Sequence, residues 1–516
     1  MSKQTFIRGT LILIAAGFIT KILGFVNRIV IARIMGEEGV GLYMMAVPTL
    51  LLAITLTQLG LPVAISKLVA EANAVGDKQR VKRILVVSLT VTTLLSIVFT
   101  LLLVTLAPLL ANIMFTDPRT LYPLLAISPI IPIVAISAVI RGYFQGIQNM
   151  RPTAISQIIE QITRIALVAV CTNTLLPYGV EFAASGAMIS AVCGELASLI
   201  YMYIIFHRSK DVKLRENVKQ TIQSGKRTFH DLMKISLPTT GSRLIGSISY
   251  FFEPIVVAQS LAIAGVASAV ATKQYGELTG YALPLLLLPS FISYALSTSL
   301  VPSISEALAK KHKRLIEFRL QQAMRFSFIA GGWSALIMFV FAAPILQLMY
   351  GTDKSAIYIH MMAPCFIFFY LQGPLQAILQ ALDLANAAMI NSLVGNIVKI
   401  ACIFLLVSRP EFQIMGAAIA ICAGMLTVTF LHFATVLKAM PFTIYIREYI
   451  GTIIAILFAG GGGYYLYHHV TLSTSLLIQT ISWIVFTTLL YLFLLIMFKL
   501  IRREELKKFP LIKKLF

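Results

Sequence analysis

The sequence predicts an all-α polytopic membrane protein: fourteen transmembrane helices, made of two parallel six-helix repeats and two extra C-terminal helices. Three observations carry that prediction. The 516 residues are 58% hydrophobic and only 12% charged, against about half and a quarter in a soluble chain. Apolar residues come in runs of about 20 or more, the length that crosses a bilayer as a helix. Short blocks of sequence from the first half also return, in the same order, in the second.

In chain order the predicted spans are 8–35, 41–70, 84–113, 121–147, 153–175, 183–206, 231–260, 275–302, 323–349, 357–382, 387–407, 413–437, 448–467 and 476–499. They divide into an N-lobe (1–206), a basic linker (207–230), a C-lobe (231–437), and a terminal pair of spans with a basic tail (438–516). The first run begins like a signal sequence, MSKQTFIRG and then LILIAAGFIT. It lacks a small-residue cleavage site and continues past Lys21, so it reads as an uncleaved span. Pro48, Pro129, Pro132, Pro284 and Pro289 mark expected kinks. AGGGGYY (459–465) in span 13 predicts close helix packing.

The formal charge of +21 and pI near 9.8 do not describe a nucleic-acid surface. Lys and Arg gather in alternate connections: KQRVKR (78–83), the stretch 208–227, KKHKR (310–314) and the tail IRREELKKFPLIKKLF. The opposite loops, such as FTDPRT (115–120) and GTDK (351–354), are short. That asymmetry sets the topology, with both termini cytoplasmic. It places the basic linker against anionic lipid headgroups. Cys171, Cys193, Cys365, Cys402 and Cys422 have neither disulfide nor metal-ligand spacing.

The duplication is read directly. TKILG (20–24) returns as SRLIG (242–246), LPVAIS (61–66) as VPSIS (301–305), and GAMIS (186–190) as GAAIA (416–420). The block 145–165 aligns without gaps to 380–400, with Arg164 over Lys399. Six spans per copy give both copies one orientation, hence parallel repeats.

Against this apolar background stand polar stripes. Gly17, Lys21, Gly24 and Arg28 share one face of the first helix. Gln157, Glu160, Gln161 and Arg164 share a face of span 5, and Ser392, Gly395, Asn396 and Lys399 the matching face of span 11. Span 7 carries Thr239, Arg243, Gly246, Ser247 and Tyr250, followed by Glu253. A cation at mid-bilayer costs roughly 2.5–3.5 kcal/mol even on a lenient scale. Lys21 lies about 20 Å along the helix from Arg8, too deep for easy snorkelling. Glu160 and Arg164, at i and i+4, could neutralise each other or serve a ligand. Lys21, Arg28, Arg243 and Lys399 have no acid at helical spacing. A hydrated, net positive cavity that selects anions removes most of the cost. The expected substrate-binding set is therefore Lys21, Arg28, Arg164, Arg243 and Lys399 for the anion, with Gln157, Gln161 and Asn396 for polar groups beside it. Glu160, Glu253, Glu195 and Asp383 are candidates for a coupling ion.

No Walker loop, HExxH, GxSxG or metal-spaced Cys/His cluster occurs. The expectation is no catalytic residue, no metal and no cofactor. Transport would then draw on a sodium or proton gradient, the membrane potential or the substrate's own gradient.

The duplicated halves, the fourteen spans and the broken first helix KILGFVNRIVIARIMG resemble the multidrug/oligosaccharidyl-lipid/polysaccharide (MOP) exporter superfamily, and within it the polysaccharide-transporter branch related to lipid II flippases. The resemblance implies two six-helix lobes in a V around a central cationic cavity, with alternating access. It implies a bacterial cytoplasmic membrane location. The implied cargo is an undecaprenyl-pyrophosphate-linked peptidoglycan precursor, of the kind used for spore cortex, and the implied partners are the cell-wall synthesis machinery. Family cavity cations on the first helix carry over to Lys21 and Arg28. The family's arginine after the second-helix proline is replaced, since Leu52 and Ala53 follow Pro48. A family arginine on the eighth helix is also missing, with Arg243 of span 7 as its substitute. In the lipid II relatives two extra helices form a groove for the lipid tail, which implies that role for spans 13 and 14. The alternatives are a cation-coupled multidrug or metabolite exporter on the same fold, which needs an acidic aromatic cavity, and a membrane-embedded glycosyltransferase, which needs acidic loop residues.

Overall fold

The computed structural model describes residues 3–208, 225–440, 443 and 445–500. Most of the basic linker, the C-terminal tail, and the side chains of residues 1–15 and of Thr239 lie outside the described residues. Among the described residues every regular element is helical. Twelve stretches are long and apolar enough to cross a membrane, so the protein is a multi-pass membrane protein. The first of these, Ala16–Ala74, is 59 residues long and holds two of the predicted spans.

The first unit comprises residues 1–276. Helix α1 (Lys3–Gln58) is broken at Gly36, whose φ of 65° and ψ of −172° lie outside the helical region. A side chain there would be strained, so the break falls at the glycine. Pro48 stays inside the continuing helix. Gly60, at φ 66°, turns the chain into α2 (Leu61–Ala74), with a proline in its first turn. Helix α3 (Lys78–Leu109) is capped by Asp77, whose carboxylate accepts the Arg80 backbone N–H at 2.8 Å. A π turn (Leu110–Met114) and a 3₁₀ turn (Pro118–Thr120) lead to α4 (Leu121–Ile127) and α5 (Ile130–Gly146). Then follow α6 (Arg151–Leu175), α7 (Val180–Arg208), α8 (Gly225–Ile263) and α9 (Ser268–Gly276). Pro129 and Pro132 open α5 rather than bend a continuous helix. The first repeat's core is aliphatic: Leu61, Ile65, Val69, Ile84, Leu85 and Val139 pack around Tyr143 and Phe144, joined by Leu232 of α8.

Helices α8 and α9 open the second repeat by sequence, yet they pack within the first unit, α8 against α1, α2 and α3. A repeat is a relation of chain order, while a compact unit is set by which apolar faces meet.

The second unit comprises residues 277–516. Predicted span 8 is broken here into a π turn, α10 (Leu283–Leu287), a 3₁₀ turn at 288–290 and α11 (Phe291–Ala309). Pro284 and Pro289 each stand in the first turn of a new piece. Helices α12 (Lys313–Val340), α13 (Ala342–Tyr350), α14 (Ala356–Ala381), α15 (Ala385–Val407) and α16 (Gln413–Ala439) follow. The last pair, α17 (Ile446–His469) and α18 (Leu476–Met497), packs on α12 around Trp483, Tyr491 and Phe341. Arg325 of α12 meets Glu448 of α17 at 3.3 Å. The predicted close packing at 459–465 is present: a Cβ on Gly463 would press on Thr487, and one on Gly460 on Leu336.

The duplication has a structural signature. In the pair α6/α7, a Cβ on Gly186 would lie 2.7 Å from the Cys171 carbonyl, and one on Gly194 2.8 Å from the Glu160 carbonyl. In the pair α15/α16, a Cβ on Gly416 would lie 2.8 Å from the Leu406 carbonyl carbon, and one on Gly424 2.9 Å from the Gly395 carbonyl oxygen. Glu160 with Gly395 is a pair that the gap-free alignment of 145–165 with 380–400 matches, and Cys171 with Leu406 keeps the same offset beyond it. Both copies therefore cross their fifth and sixth helices on the same two glycines.

Candidate functional site

Two polar faces of the first unit are open. On α1, Lys21 and Arg28 are exposed, and a Cβ added at Gly17 would meet nothing within 4 Å. On α8, Arg243 is exposed, and added Cβ atoms at Gly241 and Gly246 would also meet nothing. These glycines do not serve close helix contact; they lower the relief of an open surface. The two faces are tied together. Ser247 of α8 and Thr55 of α1 share a hydrogen bond at 2.8 Å. Tyr250 lies within electrostatic reach of Arg28, Tyr43 and Glu253. Lys21 and Arg243 stand seven residues before Arg28 and Tyr250, about 10 Å along each helix. Glu253 is buried on α8.

Gly24 connects this face to α6, since a Cβ there would lie 3.8 Å from Gln161 Oε1. That oxygen is buried without a hydrogen-bond partner, as is Asn27 Oδ1 on α1. Two orphaned amide acceptors are places where a hydroxyl-rich ligand can donate. Asn27 escaped the sequence reading because it sits one position off the Gly17–Arg28 stripe. Gln157 is half-buried on the same helix as Gln161.

Deeper in α6 lies a four-membered charge cluster. Arg164 Nη2 donates to Glu160 Oε1 at 2.8 Å. Arg141 Nη2 donates to Glu195 Oε1 at 2.8 Å and stands 3.8 Å from Glu160 Oε2. Of the two readings left open for Glu160 and Arg164, the structure holds the pair together and adds a second pair. Arg141 went unnoticed in the sequence although its signal was plain, a lone cation in the apolar run IIPIVAISAVIRGYFQG. Arg141 and Glu195 are 54 residues apart, so only the fold could join them.

The second unit repeats part of this chemistry. Asn396 and Lys399 are half-buried on α15. In α15 and α16, Asn391 Nδ2 donates to Thr435 Oγ1 at 2.9 Å and lies 3.1 Å from His432 Nδ1. Asp383 stands apart from these groups: it is an exposed turn residue between α14 and α15 with a left-handed backbone, φ 61°. Among the described residues no group of three or more His, Cys, Asp or Glu could hold a metal ion. The five cysteines are all free thiols.

A further polar cluster closes the loop end of the first unit. Arg119 grips Asp117 through Nε at 3.0 Å and Nη2 at 2.9 Å, and reaches Glu38 through Nη1 at 2.6 Å. Thr272 Oγ1 donates to Asp117 Oδ2 at 2.7 Å, and Lys273 pairs with Glu37 at 3.2 Å. Ser268 donates to the Thr116 carbonyl at 2.7 Å, and Gln259 to the carbonyls of Ile113 and Met114. Burial raises the Asp117 carboxyl's pKa, but the bonds from Arg119 and Thr272 and the guanidinium charge outweigh it, so the carboxyl stays below the usual range.

Comparison with known proteins follows the same lines. The model of the family described as polysaccharide biosynthesis protein matches residues 6–308, and the MatE family model matches 254–405. Stage V sporulation protein B of Bacillus subtilis (strain 168) is 58% identical over 515 residues, covering 100% of this chain and 99% of that protein. Lipid II flippase MurJ of the same organism is 25% identical, with 81% of this chain and 79% of that protein covered. Among solved structures, lipid II flippase MurJ in an inward closed conformation superposes with a TM-score of 0.70 at 15% identity, covering 95% of this chain and 98% of that one. An inward-facing multidrug resistance MATE family transporter of the MOP superfamily gives 0.63 at 14% identity, covering 81% and 94%.

Proposed function

The chain belongs to the family of polysaccharide biosynthesis proteins within the MOP transporters, and from that premise we propose that it is a flippase for a lipid-linked anionic glycan. It is a transporter and not an enzyme. The proposed cargo is an undecaprenyl-pyrophosphate-linked peptidoglycan precursor for the spore cortex. Support for a cell-wall cargo comes from the relatives' names, one a sporulation protein and one a lipid II flippase.

One observation carries the reading: Lys21, Arg28 and Arg243 are exposed on glycine-lined faces of α1 and α8 in a chain that spans the membrane. Cations on such faces are costly against lipid and stable against a hydrated phosphate. In this reading the pyrophosphate binds these three, with Arg164 deeper on α6. Gln157, Gln161 and Asn27 accept from and donate to the sugar. Lys399 and Asn396 repeat the chemistry within the second unit. Alternating access drawn from an ion gradient or the membrane potential moves the headgroup across the cytoplasmic membrane, with both termini cytoplasmic. Glu160, Glu195 and Glu253 are the proposed coupling groups, and the cell-wall synthesis machinery receives the product.

Reconstitution into vesicles with a fluorescent undecaprenyl-pyrophosphate-linked sugar tests this. Wild-type protein is expected to move the lipid between leaflets, and Lys21→Ala and Arg243→Ala to lose that activity at unchanged protein level. Full flipping by both variants would overturn the assignment.

A further inference from the structure

The charge cluster of α5, α6 and α7 is neutral when fully ionised: Arg141 and Arg164 against Glu160 and Glu195. It is also incompletely bonded. Each arginine meets its carboxylate through Nη2, while Nε of both Arg141 and Arg164 is buried with no hydrogen-bond partner. A guanidinium presents Nε–H and Nη2–H as one edge matched to a carboxylate or phosphate taken two oxygens at a time. Here both edges are half filled. Glu195 contributes one oxygen to Arg141, which also reaches Ser198 Oγ at 3.3 Å. Glu160 is divided between two arginines, Oε1 to Arg164 and Oε2 at 3.8 Å from Arg141, with the Gln161 amide 3.5 Å from Oε1.

We propose that this cluster is a proton-linked oxyanion exchange site, in which a phosphoryl group takes the Nε/Nη2 edge of Arg164 and the displaced Glu160 leaves as the neutral acid. The step breaks and forms no covalent bond. One proton passes from water to Glu160, the Arg164–Glu160 ion pair opens, and an Arg–phosphate pair replaces it. Charge balance requires the proton. Two carboxylates and an added anion against two guanidinium groups would leave uncompensated negative charge in a largely buried site, which is disfavoured. The groups around Glu160 are Arg164 on its own helix, Arg141 from α5 and Glu195 from α7. From α1, Gly24 stands against Gln161, and the cations of that stretch, Lys21 and Arg28, are exposed. The α6 and α7 backbones already touch here, since a Cβ on Gly194 of α7 would press on the Glu160 carbonyl and the Arg164 Cβ. Exchange is therefore a side-chain event.

The inference rests on the anionic-cargo reading and extends it to the regulation of binding: anion uptake by this unit carries a proton with it. Titration calorimetry of the full chain in detergent, with farnesyl diphosphate as probe and Tris and MOPS as buffers of different ionisation enthalpy, counts that proton at pH 7.5. Wild-type protein is expected to take up about one proton more per bound diphosphate than Glu160→Gln. The variant should bind at pH 8 about tenfold more tightly than wild type, since a neutral amide no longer competes for Arg164. Glu195→Gln also leaves the cluster with one spare positive charge, and should lose the same proton; it supplies the comparison if Glu160→Gln does not fold. Equal proton counts in wild type and both variants, or weaker binding by both variants, would overturn the linkage while leaving the cargo reading intact. Failure of every form to bind the diphosphate would overturn the cargo reading and this inference with it.

Discussion

Thr272 Oγ1 donates a 2.7 Å hydrogen bond to Asp117 Oδ2 across 155 residues of sequence. It joins a loop of the first repeat to the second helix of the next, and Arg119 completes the arrangement by holding the same carboxylate with two nitrogens. Asp117 is 1% exposed, so its charge is satisfied by these partners and by the Arg119 backbone N–H, which donates to Oδ1 at 3.1 Å.

Loss of that charge should destabilise the first unit. Asp117→Asn keeps the shape but surrenders charge-assisted bonds worth about 1.5–3 kcal/mol. The pH dependence follows from the lowered carboxyl pKa. A carboxyl depressed on folding adds stability that is fully present above its unfolded value near 3.9, and loses it as pH falls through the folded value. Thermal unfolding in detergent between pH 7 and pH 3 should show the wild-type advantage over Asp117→Asn shrinking only below about pH 4. A constant difference across that window would exclude Asp117 as its source.

Glycines on the two kinds of face should behave oppositely. A Cβ at Gly41 collides with the Thr272 carbonyl and one at Gly276 with the Glu37 carbonyl. Gly41→Ala and Gly276→Ala are expected to cost roughly 1–3 kcal/mol. Gly17→Leu and Gly246→Leu enter open space, so melting should stay within about 0.5 kcal/mol of wild type while lipid flipping falls. A thermal-shift series beside the vesicle assay separates the two classes.

Arg141 is expected to matter more than its position suggests. Arg141→Met leaves Glu195, 5% exposed at its side chain, without its cation. Breaking a buried pair from one side costs about 3–5 kcal/mol. Adding Glu195→Gln should recover much of that loss, and the double-mutant cycle would measure the coupling. Additive losses would show the two side chains act independently.

Equivalent substitutions in the two repeats should have matching effects. Gly194→Ala meets the Glu160 carbonyl and Gly424→Ala the Gly395 carbonyl and Lys399 Cβ. Each is expected to lower stability by about 1–3 kcal/mol, read as the melting temperature of the purified protein.

The spans and the duplication were legible because hydropathy and the 3.6-residue period are local properties. The alignment of 145–165 with 380–400 paired Glu160 with Gly395, the two residues whose carbonyls a Cβ on Gly194 or on Gly424 would press on. The break near residue 36 was visible in the gap between the first two spans. Pro129, Pro284 and Pro289 fall where predicted spans 4 and 8 divide into shorter helices, because a proline's ring fits the start of a helix better than its middle, while Pro48 stays inside α1. The exposed cations of α1 and α8 were legible as stripes. Arg164 of α6 was legible in the same way, but the pairing of Arg141 with Glu195, or of Asp117 with Thr272, was not, because it depends on distances that no local pattern encodes.

The glycine seam shared by α6/α7 and α15/α16 has a wider meaning. Where backbone touches backbone, the side chains beside the contact carry no duty of holding the two helices together. The first copy has placed a carboxylate and an arginine on that neutral chassis, the second a glycine and a lysine. After an ancestral doubling, each half could thus change what it attracts without relearning how to fold.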